Sequence, residues 1–194
     1  MPLVFLEPAP AKSWARILKK LGIYLHTPFC ERKCAYCDFY SRKGNSELYE
    51  KYTAALCERV AFYGARLFRS ADTLYLGGGT PSLLGGERIS RIVSTAKKYF
   101  ELENAEITLE ANPADDLADT LKIAAQSGVN RLSLGVQSSI ESELKSLSRR
   151  HNNSDVIRTV AHARAAGIEN ISCDLMLGIP HQTVSSLCKS LDFA

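Results

Sequence analysis

The chain has 194 residues, 45% of them hydrophobic and 23% charged, the balance of an ordinary soluble domain long enough to build one core. Its net charge is only +3 and dispersed, which argues against nucleic acid or a charged membrane surface as a partner. No transmembrane segment is expected, since no stretch approaches the roughly 20 apolar residues a spanning helix needs. The apolar run at residues 3–6 precedes its positive charges rather than following them, the wrong order for a secretion signal.

Residues 1–20 contain Pro2, Pro8 and Pro10 and then a short basic helical turn over 14–20. They read as an N-terminal flank to a domain occupying residues 21–194. From there a unit repeats: a short apolar run, a loop, and a longer stretch with helical periodicity. Residues 22–25 predict a first strand, followed by a cysteine-rich loop, and residues 48–62 predict a first helix. Residues 73–76 predict a second strand stopped by Gly77-Gly78-Gly79-Thr80-Pro81, and Ile89, Ile92, Val93 and Ala96 mark the next helix. A third strand over 105–110 stops at Asn112-Pro113, and a helix over 117–125 is closed by Gly128. A fourth strand over 131–136 leads into helical patterns at 140–147 and 156–166, the second ended by Gly167. Residues 170–177 predict a fifth strand, and a last helix begins at Thr183.

Strands alternating with helices at these lengths predict an α/β fold of parallel βαβ units. A doubly wound sheet and a barrel share that alternation. The placement of polar groups favours the barrel. The cysteine loop, the Gly77 to Thr80 turn, Glu110, Gln137 and Asp174 each fall at the C-terminal end of a predicted strand, the face on which barrel enzymes build their sites. Singly, each has a plainer explanation as a cap or turn residue.

Cys30, Cys34 and Cys37 stand in a C-x3-C-x2-C array. A structural zinc site closes with four ligands, and only three thiols are present here. His26 is a possible fourth but reads as a strand-end residue. An ordinary [4Fe-4S] cluster takes four thiolates, so three would leave one iron open to an outside ligand. Arg32, Lys33, Arg42 and Lys43 flank the loop and would offset the charge of such a cluster. Cys57, Cys173 and Cys188 read as buried apolar residues rather than a disulfide framework, in keeping with a reducing, cytoplasmic location. The glycine turn admits close approach of a ligand or is simply tight; without Gly-Lys-Ser/Thr it is no nucleotide P-loop. Arg149 and Arg150 read either as a solvated helix end or as a clamp for a carboxylate.

These motifs resemble the radical S-adenosylmethionine (SAM) superfamily, and within it the coproporphyrinogen oxidase-like branch. The resemblance rests on the cysteine array with Tyr36 before the last thiol, on Tyr24-Leu25-His26-Thr27-Pro28-Phe29-Cys30, and on Gly77-Gly78-Gly79-Thr80-Pro81-Ser82. It extends through Leu109-Glu110-Ala111-Asn112-Pro113, the run from Asn130 to Gln137, and Asp174-Leu175-Met176-Leu177-Gly178-Ile179-Pro180. It implies a partial (β/α)6 radical SAM barrel, here cut off after about five βα units. Cys30, Cys34 and Cys37 would be the cluster ligands, with Tyr24 and Tyr36 as cofactor contacts. Gly78, Gly79 and Thr80 would meet the methionine end of SAM, and Glu110, Gln137, Arg149 and Asp174 would supply the remaining polar contacts. In the family, reduction of the cluster cleaves SAM to a deoxyadenosyl radical.

Within the branch, oxygen-independent coproporphyrinogen III oxidases carry a further cysteine two residues after the third. Phe39 occupies that position here, a form that resembles the heme chaperones, for which heme or porphyrin and a heme-accepting protein are the implied partners. Oxidative decarboxylation in porphyrin biosynthesis stands as the alternative. Family members continue through a sixth strand and a C-terminal domain, so a chain ending at Ala194 reads as truncated, with a nonfunctional remnant as a third reading. His151-Asn152 matches the first two letters of the heme-associated H-N-x-x-Y-W motif, but Asp155 and Val156 stand where Tyr-Trp belongs, so the motif is not assigned.

Overall fold

A computed structural model describes residues 21–67, 70–113 and 116–194; the flank at 1–20, with its expected basic turn, lies outside them. Five strands form one sheet: β1 (Leu21–Thr27), β2 (Ala71–Gly78), β3 (Glu106–Ala111), β4 (Arg131–Gln137) and β5 (Asn170–Leu175). Between and after them come α1 (Ser46–Leu67), α2 (Gly86–Tyr99), α3 (Ala118–Ser127), α4 (Glu141–Ser146), α5 (Asn153–Ala165) and α6 (Val184–Phe193). A 3-10 turn, Pro81–Leu84, joins β2 to α2.

Every neighbouring pair is parallel, and the spatial order is the chain order, β1-β2-β3-β4-β5. A doubly wound sheet reverses direction at a switch point; this one never does. Crossovers of one hand that always step the same way put the helices on one face. The helices accordingly pack in succession, α1 on α2, α2 on α3 and α3 on α5. The sheet is therefore an arc of a barrel.

Strand alternation separates the two faces. Leu74 and Leu76 of β2, Ile107 and Leu109 of β3, and Leu132, Leu134 and Val136 of β4 are buried in one core with Ile89, Ile92, Val93 and Ala96 of α2 and Leu121 of α3. The residues between them, Tyr75, Thr108, Glu110, Ser133, Gly135 and Gln137, belong to the opposite, concave face. That face is polar. Low on it, Arg131 reaches Ser172 at 3.0 Å and Thr108 at 3.3 Å and pairs with Glu106 at 3.5 Å, tying three strands together.

The elements differ from the sequence expectation in their ends. α1 runs five residues past residue 62. β5 stops at Leu175 instead of 177, because a register shift between Gly135 and Gln137 uses the last pairing positions and Met176 N–H closes on the Gln137 carbonyl at 2.9 Å. α5 begins at Asn153, where Asn152 and Asp155 exchange side chain-to-backbone hydrogen bonds in a capping box.

A candidate cofactor cavity at the strand ends

The C-terminal ends of the strands surround a cavity of about 300 Å³. Cys30, Cys34, Cys37 and Tyr36 line it from the loop after β1, and Gly78, Gly79 and Thr80 from the turn after β2. Glu110, Gln137 and Asp174 enter from β3, β4 and β5, and Arg149 from the loop after α4. Of the residues expected at the site, only Tyr24 does not line it. Tyr24 sits next to it on the concave face, its ring 6.0 Å from that of Tyr75 and its hydroxyl 3.1 Å from His26 Nδ1.

Local chemistry explains how the walls are held. Gly79 N–H donates to the Thr27 carbonyl at 2.8 Å and Thr80 N–H to that of Phe29 at 2.7 Å, so the glycine turn lies directly against the chain entering the cysteine loop. A Cβ on Gly79 would stand 2.3 Å from the Phe29 carbonyl oxygen. The glycine is thus required for chain against chain, not only for chain against ligand. Thr80 then brings its hydroxyl to 3.6 Å from Cys30 Sγ. On the other side, Cys30 N–H donates to the Arg42 carbonyl, which closes the loop.

Arg149 resolves the two readings of the arginine pair. Its guanidinium turns inward, donating to the Gly135 carbonyl, to Asn112 Oδ1 at 3.3 Å and to Cys34 Sγ at 3.7 Å, and its Nε is buried with no partner among the described residues. Arg150 turns outward and pairs with Glu31, clasping the cysteine loop from outside. Glu110 accepts from the Tyr75 hydroxyl at 2.7 Å and from Gly78 N–H at 3.0 Å; Asp174 accepts from Ser133 Oγ at 3.2 Å. Burial first, then the hydrogen bond to Glu110 and its charge, push the Tyr75 phenol up to about 12, so it remains a donor. Burial likewise raises Tyr36, opposed by the nearby Arg149. Gln137 has φ 67°, in the left-handed region that side chains other than glycine adopt only with strain.

Several residues that support the walls escaped the sequence analysis, Ser133 and Asn112 lining the cavity themselves and Tyr75 standing behind Glu110. Tyr75 and Ser133 support Glu110 and Asp174, and Asn112 supports Arg149. Strand alternation placed Tyr75 and Ser133 on the same face as those acids, and that was the available signal. His26 is indeed a strand-end residue, its Nε2 3.2 Å from the Tyr40 carbonyl oxygen. All six cysteines are free thiols. Cys57 and Cys173 pack against the core, but Cys188, expected to be buried, is exposed. The inward side of α6 is set by Ser186, Leu187, Ser190 and Phe193, and Cys188 falls off that face. No described group of three His, Cys, Asp or Glu side chains stands close enough to hold a single metal ion; the three thiols instead share one cavity rim.

Comparison with known proteins gives the same architecture. The chain is 37% identical over 174 residues to the heme chaperone HemW of Bacillus subtilis, covering 88% of this chain and 46% of the relative. Against HemW of Escherichia coli K12 it is 37% identical over 173 residues, 86% of this chain and 45% of the relative. It is 35% identical to a mouse mitochondrial radical S-adenosyl methionine domain-containing protein 1, covering 89% of this chain and 39% of that protein. The chain thus spans less than half the length of these relatives. Among solved structures, coproporphyrinogen III oxidase (HemN) of E. coli, described as a radical SAM enzyme, superposes with a TM-score of 0.80 at 28% identity, over 94% of this chain and 44% of that one. The Radical SAM superfamily profile matches residues 24–194, nearly the whole described fold and all of the cavity, and the chain belongs to that superfamily.

Proposed function

We propose that these residues form the cofactor-binding part of a heme chaperone of the radical SAM type, holding a [4Fe-4S] cluster on Cys30, Cys34 and Cys37 and SAM beside it. The observation that carries this reading is the meeting of three thiols, Arg149 and the polar ends of β3, β4 and β5 around one cavity. The donor set fits. Three sulfurs line the cavity without a fourth thiol, a hydroxyl and a guanidinium stand over two of them, and the buried Arg149 Nε is a donor without an acceptor. A Cβ on Gly135 would come within 3.0 Å of the Gln137 amide and 3.2 Å of Arg149, so glycine there keeps the floor clear. Membership of the superfamily implies both groups.

When bound and reduced, such a cluster supplies the electron that breaks a carbon–sulfur bond of SAM. The chain's own residues bind and orient. Arg149 matches a carboxylate in charge and in donor geometry. Glu110 and Asp174 offer acceptors to ribose hydroxyls or an ammonium, and Gln137 offers both a donor and an acceptor. The edge formed by Gly78, Gly79 and Thr80 would take the methionine end. Tyr36 walls the cavity beside the thiols, and Tyr24 approaches it through its stacking on Tyr75.

Heme enters this proposal through the relatives named as heme chaperones. Phe39 supports it, lining the cavity at the position where the oxidases carry a further cysteine. The likeness to the oxidase structure reflects a shared barrel and does not separate the two readings. A reducing, cytoplasmic setting and delivery of heme to an acceptor protein belong to the same proposal. Anaerobic reconstitution tests it: the wild-type chain should gain visible cluster absorbance and Cys30→Ala should not, and an unchanged spectrum in that variant would overturn the ligand assignment. Incubating the reduced protein with SAM and coproporphyrinogen III separates the functions. Vinyl product would replace the chaperone reading with the oxidase; hemin uptake and transfer without product are expected.

A further inference from the structure

Ser41 lies on the limb of chain that returns from the cysteine loop, and neither the sequence motifs nor the groups suited to SAM account for it. Between residues 31 and 43 every residue is exposed except Cys34, Cys37 and Ser41. All three line the cavity. The Ser41 hydroxyl oxygen is shut off from solvent and has no hydrogen-bond partner among the described residues. Of the buried side-chain nitrogen and oxygen atoms left in that condition, only Ser41 Oγ and Arg149 Nε belong to residues around the cavity. A buried hydroxyl without a partner is costly, and one beside a ligand site is most simply satisfied by the ligand.

The backbone holds this hydroxyl in place. Tyr40, before it, has its carbonyl oxygen 3.2 Å from His26 Nε2. Arg42, after it, donates its N–H to the Pro28 carbonyl at 3.0 Å and accepts from Cys30 N–H at 3.1 Å, pairing in parallel with Phe29. Phe29 sends its ring into the core against Tyr49 and Tyr52, at 4.8 and 5.2 Å between centroids. Alternation along the chain turns Cys30 the other way, to the cavity, and Ser41 reaches the same cavity from the limb alongside.

We propose that Ser41 donates a hydrogen bond to a sulfur of the cluster held on Cys30, Cys34 and Cys37, and so raises the potential at which that cluster takes up an electron. The proposal rests on the cluster reading of those thiols. Thiolate and sulfide sulfurs offer acceptors and no donors, so the hydroxyl, which can do either, donates. Thr80 shows the same pairing of groups, its hydroxyl standing 3.6 Å from Cys30 Sγ. The polar groups suited to SAM come from elsewhere, from the ends of β3, β4 and β5 and from Arg149. Ser41 belongs instead to the wall that the cysteine segment supplies, with Cys37 and Phe39. Reduction adds negative charge to the sulfurs, so a donor bonded to one of them stabilises the reduced state more than the oxidised one.

The test is a redox titration of the anaerobically reconstituted protein without SAM, comparing wild type with Ser41→Ala and Ser41→Thr. Loss of the hydroxyl should make reduction about three- to tenfold less favourable, a drop of about 30–60 mV at roughly 59 mV per tenfold for one electron. Ser41→Thr, which keeps the hydroxyl, should titrate with the wild type. Resonance Raman spectra should agree: the Fe–S stretching bands of the wild type shift in D2O, and Ser41→Ala reduces that shift. The cluster-free protein separates this role from a structural one. There the hydroxyl has no bond to lose, so Ser41→Ala should leave the urea midpoint unchanged or raise it. An unchanged potential in Ser41→Ala, an equal drop in Ser41→Thr, a drop that needs added SAM, or a lowered urea midpoint overturns the proposal. Wild-type protein that loads no cluster overturns the cluster reading itself, an outcome distinct from a loaded cluster whose potential ignores Ser41.

Discussion

His151 is almost wholly buried, and its two ring nitrogens meet different surroundings. Nε2 lies 2.9 Å from the Val136 carbonyl and donates to it, while Nδ1 is enclosed with no partner among the described residues. Burial, and after it the charge of Arg149, push the imidazole down from 6.5 to about 4. The unfolded chain therefore takes up a proton that the folded chain refuses. The stability linked to this residue is whole above about pH 6.5 and is lost as pH falls toward 4, by at most about 3 kcal/mol. Urea midpoints measured between pH 7 and 4.5 should fall, and His151→Gln should flatten that slope after costing about 1 kcal/mol at neutral pH. This residue opens the His-Asn pair that resembles a heme-associated motif, and here it braces the end of β4. Asn152 caps α5, so both members are occupied structurally. Gln137 teaches a related lesson. Its place at a strand end was legible, but its positive φ follows from the register shift with β5, which no local pattern shows.

At the scale of elements, repeated apolar spacing predicted each strand and helix, because burial on one face leaves a period of two or near 3.6 in the chain itself. Element ends depended on partners further away. Glu143 is the clearest case. It lies buried in α4 and accepts from Ser138 Oγ at 2.6 Å, Ser186 Oγ at 2.5 Å and Gln182 Nε2 at 3.3 Å, while Ser190 Oγ accepts from Ser139 N–H at 3.0 Å. These bonds fasten α6 to the end of β4. Burial raises the Glu143 carboxyl, and the three hydrogen bonds together outweigh it and hold the group below 4.5. Its contribution is accordingly present above about pH 4.5 and lost as pH falls through the lower folded value. Glu143→Ala removes the acceptor that Ser138, Ser186 and Gln182 share and should cost about 2–4 kcal/mol. Hydrogen exchange over residues 184–193 should accelerate more than over α2; uniform acceleration would show that α6 is not held by this carboxylate.

Across the whole molecule, the cavity depends on loops brought together from distant parts of the chain. Glu31 and Arg150 form an ion pair beside the Ala35 N–H to Leu147 carbonyl bond at 3.4 Å, so the loop after α4 clasps the cysteine loop from outside while Arg149 reaches it from within. Both partners are nearly half exposed, which limits the pair to about 1 kcal/mol or less. Glu31→Arg should speed loss of a reconstituted cluster to a chelator by up to about fivefold. Adding Arg150→Glu should restore the wild-type rate, and a double variant no slower than the single one would remove the clasp from the account.

The sequence by itself determined the βαβ repeat, the three thiols, the polar strand ends and the family they resemble. Each of these is a spacing or residue type carried within a few positions of the chain. Only the tertiary structure decided that the strands lie in unbroken order, that Arg149 turns inward and Arg150 outward, that Tyr75 and Ser133 support the acids, and that Cys188 faces solvent. Those outcomes are set by contacts between segments far apart in the chain, where packing and hydrogen-bond partners, rather than local spacing, select one side-chain direction over another.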